Sequence, residues 1–153
     1  LDNAKQWLGP YVKDCRKVEE LKKIDLFESL LHSLSWEQQQ LLEQLAPAKL
    51  EVPSGSKIRI EYFMNGAQPV IAVRLQEVFG MTDTPTVNKG TIKTVLHLLS
   101  PGYKPVQVTT DLKSFWNNTY HEVKKELQRR YPKHAWPDDP WSATAVATGR
   151  SLK

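Results

Sequence analysis

The 153 residues predict an α+β fold, with a helical N-terminal third, an antiparallel sheet built from two hairpins, and a long C-terminal amphipathic helix packed on the sheet. Three observations carry that expectation. Apolar residues recur every three or four positions as far as Leu45, every two positions from Leu50, and every three or four again from Leu112 to Leu127. The reading divides the chain into a helical lead-in over 1–46, an α+β domain over 47–140 and a disordered tail over 141–153.

In the first third, Val18, Leu21, Ile24, Phe27, Leu30, Leu31 and Leu34 fall along one side of a helix or of two short ones. Ser35 and Gln38 have the spacing of a capping box, in which hydroxyl and amide satisfy free backbone donors, so a helix through Leu41, Leu42 and Leu45 follows until Pro47 stops it. Leu50 and Val52, then Ile58, Ile60 and Tyr62, alternate with polar residues across Pro53-Ser54-Gly55-Ser56, the pattern of a hairpin with one buried face. Pro69 and Gly80 bracket Ile71, Leu75, Val78 and Phe79 at helical spacing and predict a helix, although Val70-Ile71-Ala72-Val73 alone also suits a strand. Ser100-Pro101-Gly102-Tyr103 separates the runs 92–99 and 104–109 as a second hairpin turn. Thr110 is placed to cap a final helix whose stripe is Leu112, Phe115, Trp116, Thr119, Tyr120, Val123 and Leu127. After Trp141 the sequence is small and patternless, hence the expected tail.

Composition removes whole classes of function. At 40% hydrophobic and 25% charged, with five Trp and five Tyr, this is a foldable, water-soluble composition. No apolar run approaches the roughly 20 residues of a membrane helix, so no membrane partner is expected. One cysteine cannot form an internal disulfide, which favours a reducing cytoplasm. The chain begins with Leu and lacks a secretion signal, so it is expected to be a fragment of a larger protein.

Catalytic signatures are missing as well. Phosphate-cradling P-loops, dinucleotide fingerprints, nucleophile elbows and paired zinc histidines all have fixed local spacings that do not occur here. Ser54-Gly55-Ser56-Lys57 is the nearest fragment and reads better as a turn. His121-Glu122 are sequence neighbours and point to different sides of a helix, His97 suits a half-buried strand position, and Cys15 among Lys13, Arg16 and Lys17 has no histidine partner. No catalytic residue, metal site or cofactor is therefore assigned to this segment.

Charge is concentrated instead. The formal net charge is +4, and between Lys124 and His134 five cations, Lys124, Lys125, Arg129, Arg130 and Lys133, face only Glu126. Tyr131 and Trp136 lie beside them. Cations for phosphates and flat rings for unpaired bases are what single-stranded nucleic acid requires, so these seven residues form the candidate set for contact with RNA or DNA. A helix C-terminus also favours cations whatever the partner, and both rings can instead close over the core.

Several long strings carry a resemblance: Pro53-Ser54-Gly55-Ser56, Pro69 to Gly80, Leu96 to Pro101, Lys104 to Leu112, Phe115-Trp116 and Lys124 to Pro140. In that order, from about Trp7 to Pro140, they resemble the C-terminal region of the HrpB family of bacterial DExH-box RNA helicases. Lys104-Pro105 replaces the Arg-Pro pair common in the family, and Gln128-Arg129-Arg130 replaces Arg-Gly-Arg; both keep the charge. The resemblance implies a parent enzyme with two RecA-like lobes that bind ATP and Mg, followed by winged-helix, helical-bundle and OB-like modules. It makes 47–140 a non-catalytic helicase-associated domain whose partners are the remaining domains of the parent and single-stranded RNA. The alternative is a docking module that packs on the helicase core or recruits another protein.

Overall fold

The structure is a computed structural model that describes residues 3–147, and the chain divides into two compact units, 1–43 and 44–153. The sequence placed the boundary after 46. No helix among the described residues is long and apolar enough to cross a membrane.

The first unit holds four short helices, α1 (Ala4–Trp7), α2 (Gly9–Val12), α3 (Val18–Leu21) and α4 (Leu26–His32), and the start of α5 (Trp36–Leu45). Asp25 caps α4 by accepting from the Glu28 backbone N–H at 3.0 Å. The capping box forms as its spacing requires: the Gln38 N–H donates to Ser35 Oγ at 3.3 Å and the Ser35 N–H to Gln38 Oε1 at 2.8 Å. Gln39 donates to the carbonyls of Leu31 and Leu34, which closes the turn between α4 and α5. The apolar stripe splits between α3 and α4. Its burial does not follow: Val18, Leu21, Phe27 and Leu30 are exposed, and Ser29 is the one buried residue described in this unit.

The second unit is built on a five-stranded sheet in the order β1-β2-β3-β6-β7, from β1 (Lys49–Glu51), β2 (Lys57–Glu61), β3 (Val70–Arg74), β6 (Val95–Leu99) and β7 (Pro105–Thr109). A separate pair joins β4 (Thr86–Val87) to β5 (Ile92–Lys93). The pairs β1/β2 and β6/β7 are antiparallel hairpins, as is β2 against β3, but β3 runs parallel to β6 from Val70↔Val95 to Arg74↔Leu99. The sheet is thus mixed, not antiparallel.

This corrects the helix expected between Pro69 and Gly80. β-Branched Val70, Ile71 and Val73 favour the pleated conformation, and β3 finds ladder partners on both edges, β6 along its full length and β2 at Val70 and Ile71. A 3₁₀ turn, Leu75–Glu77, then carries the chain to Val78 and Phe79. The apparent helical spacing was a strand followed by a tight turn.

At the C-terminal side, α6 (Leu112–Ser114), a π turn (Phe115–Thr119) and α7 (Tyr120–Arg130) follow one another without a break. Asp111, not Thr110, is the cap, accepting from the Ser114 N–H at 2.9 Å. Leu112, Phe115, Trp116, Tyr120 and Leu127 join Ile71, Val73, Leu96 and Leu98 in one core. Each large side chain removed from water contributes about 1.5–3 kcal/mol. Trp116 spends its indole N–H on the Met81 carbonyl at 2.9 Å, so its full burial leaves no polar atom unpaired.

Residues 141–147 do not behave as the expected tail. Trp141, Ala143 and Ala145 pack against the core, the Val146 N–H donates to the Gln76 carbonyl at 3.0 Å, and Arg74 donates to the Ala147 carbonyl. Small side chains allow this close approach. Gly80, at φ +79°, donates to the Pro140 carbonyl at 2.8 Å, and a Cβ there would stand 3.3 Å from the Ala143 oxygen. The rest of the expected tail, 148–153, lies outside the described residues.

Candidate nucleic-acid interface

Pro132 cannot continue α7, and the chain turns back along the helix. Two contacts fix that return: Tyr120 Oη donates to the Pro137 carbonyl at 2.8 Å, and Lys124 Nζ meets Asp138 Oδ1 at 2.5 Å. Burial, and secondarily the Asp138 charge, push the Tyr120 phenol far above its ordinary range. The Lys124 ammonium beside Asp138 holds that carboxyl below the usual aspartate value.

The predicted set therefore separates. Lys124 is only 12% exposed and is committed to Asp138, so it does not belong to an open basic face. Trp136 is 9% exposed, packs in the core and donates its indole N–H to the Tyr131 carbonyl at 3.0 Å, so it offers no ring to a base. Tyr131 is half-buried, its hydroxyl 3.2 Å from Ser100 Oγ. Lys125, Arg129, Arg130 and Lys133 remain exposed. Arg130 pairs with Glu126 at 3.7 Å across exposed surface, a contact too weak to withhold it from a phosphate. Among the described residues Lys125, Arg129 and Lys133 have no ion-pair partner. Lys125 and Arg129 stand four apart and form one ridge of α7.

The same end of the unit holds a ring that the sequence reading passed over. Tyr103, in the β6–β7 turn, is 66% exposed and adopts φ +60°, a left-handed conformation rare for a bulky residue. Its ring covers the Arg74 guanidinium, whose carbon is 5.0 Å from the ring centroid. Arg74 is itself immobilised, by Glu77 at 3.2 Å and by the Ala147 carbonyl. The turn rests on the end of α7: a Cβ on Gly102 would come within 2.8 Å of the Tyr131 hydroxyl. Reading β3 as a helix hid this arrangement, because only the parallel pairing of β3 with β6 brings Arg74 beside the turn. The signal available was a tyrosine directly after Pro-Gly, where a small or polar residue fits better.

The fragment nearest to a phosphate loop is occupied by an acid. Ser56 Oγ donates to the buried Glu77 carboxylate at 2.7 Å and Ser54 Oγ lies 3.5 Å from it. A carboxylate in that position repels phosphate, so this turn is not a phosphate cradle. Among the described residues no group of three His, Cys, Asp or Glu side chains could hold a metal ion.

A family model described as the ATP-dependent helicase C-terminal family, HrpB_C, matches residues 7–140. The chain belongs to that family. It is 44% identical over 147 residues to the ATP-dependent RNA helicase HrpB of Escherichia coli K12, covering 96% of this chain and 18% of that protein. Among solved structures, a crystal structure of the E. coli DExH-box NTPase HrpB superposes with a TM-score of 0.85 at 41% identity, covering 98% of this chain and 18% of that one. A second, of the E. coli DEAH/RHA helicase HrpB, gives a TM-score of 0.69 at 40% identity over 88% of this chain and 17% of that one. The chain thus corresponds to the HrpB C-terminal domain and spans under a fifth of its relatives' length. Both the α7 cations and the Tyr103 turn fall inside the family match.

Proposed function

We propose that this chain is a non-catalytic accessory domain of a bacterial, cytoplasmic, ATP-dependent RNA helicase, and that it holds or steers RNA through the cations at the end of α7. The parent's remaining domains would bind ATP and Mg. The observation that supports an RNA contact is the run of exposed cations, Lys125, Arg129, Arg130 and Lys133, left after Lys124 is paired away. Each phosphate neutralised on a single strand releases counterions, so binding weakens as salt rises, with a log–log slope of about −0.7 per contact. Filter binding of the 153-residue chain to single-stranded RNA at two salt concentrations tests this. The double charge reversal Arg129→Glu/Arg130→Glu is expected to weaken binding at least about tenfold at low salt and to flatten the slope. Unchanged binding removes the site.

A second reading has its own support. In the first unit Val18, Leu26, Phe27 and Trp36 are 61%, 53%, 65% and 71% exposed, more apolar surface than a lone domain usually shows. In this reading α1 to α5 dock on the remaining helicase domains. Dye binding to exposed apolar surface, strong for the isolated chain and lost in the intact helicase, supports docking; a weak signal from the isolated chain counts against it.

A further inference from the structure

Tyr103 combines three properties that are each unfavourable for a residue with only a structural role. A bulky side chain at φ +60° is strained, and backbone strain of this kind persists where the surroundings enforce it, commonly at ligand-binding positions. The ring is 66% exposed, so burial does not repay the strain. It is nevertheless held still, because one face lies on a guanidinium fixed by Glu77 and the Ala147 carbonyl. A ring with one face clamped and its surface open is pre-organised to receive a second flat group, and little rotamer freedom is left to lose on binding.

The neighbours say which flat group. Exposed Lys104 follows directly, and the Gly102–Tyr131 contact sets the turn against the end of α7, with Arg129 and Arg130 in its last turn and Lys133 just beyond it. Phosphates need the cations and unpaired bases need the ring, with every base offering a π face. We propose that Tyr103, clamped over Arg74 at the β6–β7 turn, is a stacking platform for one unpaired base of the single-stranded RNA whose phosphates lie on Lys104 and the end of α7. The proposal rests on the RNA-contacting reading above. It moves the aromatic part of the site from Trp136 to a residue outside the basic run.

Fluorescence anisotropy with a labelled oligouridine and a strand of equal length carrying abasic positions separates the two ideas. The wild-type chain binds the base-bearing strand about tenfold more tightly, as one stacked base contributes. Tyr103→Ala lowers affinity for oligouridine by that factor, leaves the abasic strand unaffected and keeps the salt slope; Tyr103→Trp retains the preference. Tyr103→Asn, which suits the left-handed conformation, loses the preference while its thermal midpoint stays level or rises, so misfolding cannot account for the loss. If Arg129→Glu/Arg130→Glu weakens binding while Tyr103→Ala binds both strands like wild type, the platform is wrong and the phosphate site stands. If Tyr103→Ala weakens both strands equally, base stacking is likewise excluded. Absence of RNA binding by the wild-type chain overturns both.

Discussion

Glu77 shows how much a single buried acid can organise. It sits in the 3₁₀ turn after β3, accepts from Ser56 and faces Ser54 and Arg74, and so ties the first hairpin to the guanidinium beneath Tyr103. Arg74, 16% exposed, is held by it: the Glu77 hydrogen bond raises the guanidinium above its ordinary value, against the opposing effect of burial. Removing one partner of a buried pair leaves the other without compensation, which is more damaging than losing the pair. Glu77→Ala should therefore lower the unfolding free energy by about 3 kcal/mol, read from the urea midpoint at constant slope. A loss under about 0.5 kcal/mol, the range of an ordinary surface substitution, contradicts this account. At this scale the sequence was informative about charge and poor about availability. The cations of α7 were visible as a run, but whether Lys124 is free depends on Asp138, and whether Trp136 is open depends on the Tyr131 carbonyl it binds. Such pairings follow from the path of the chain after Pro132, which no local pattern encodes.

Among elements, those whose determinants are local were the legible ones. The capping box before α5 and the stripe from Leu112 to Leu127 need only neighbours three or four residues away. β3 was misread because its parallel partner β6 lies more than twenty residues on, and because Ile71, Leu75, Val78 and Phe79 mimic a helical period when a strand runs into a 3₁₀ turn. The return segment after α7 has a pH signature. With the Asp138 carboxyl held below its ordinary range by Lys124, the folded state favours the carboxylate, so the pair's stabilisation is complete above the ordinary aspartate pKa and disappears as pH falls through the lowered one. The thermal midpoint of wild type should exceed that of Asp138→Asn by a constant margin at neutral pH, and the margin should close below about pH 4. A margin that persists in strong acid, or widens there, means that Asp138 acts through something other than this pair.

Across the whole molecule, burial is distributed unevenly. The buried apolar residues, from Val52 to Trp136, all belong to the second unit, whereas the first has exposed Tyr11, Val18, Leu21, Leu26, Phe27 and Leu30 around one buried serine. Helices of four to seven residues cannot persist on hydrogen bonding alone, since nucleating a turn costs more than a short run of bonds returns. Their stability must come from covering an apolar face, and the described residues of this unit leave that face open. Hydrogen exchange followed by mass spectrometry should find the amides of α1 to α4 exchanging through local opening, well ahead of β3 and β6, which open only with the whole sheet. In an intact helicase of this family the docking reading predicts that the same helices gain protection while β3 and β6 change little. Equal protection of both units in the isolated chain contradicts the first expectation. Helices that stay as labile in the intact enzyme as alone leave their apolar face without a partner, and docking then gives way to the RNA contact as the domain's role.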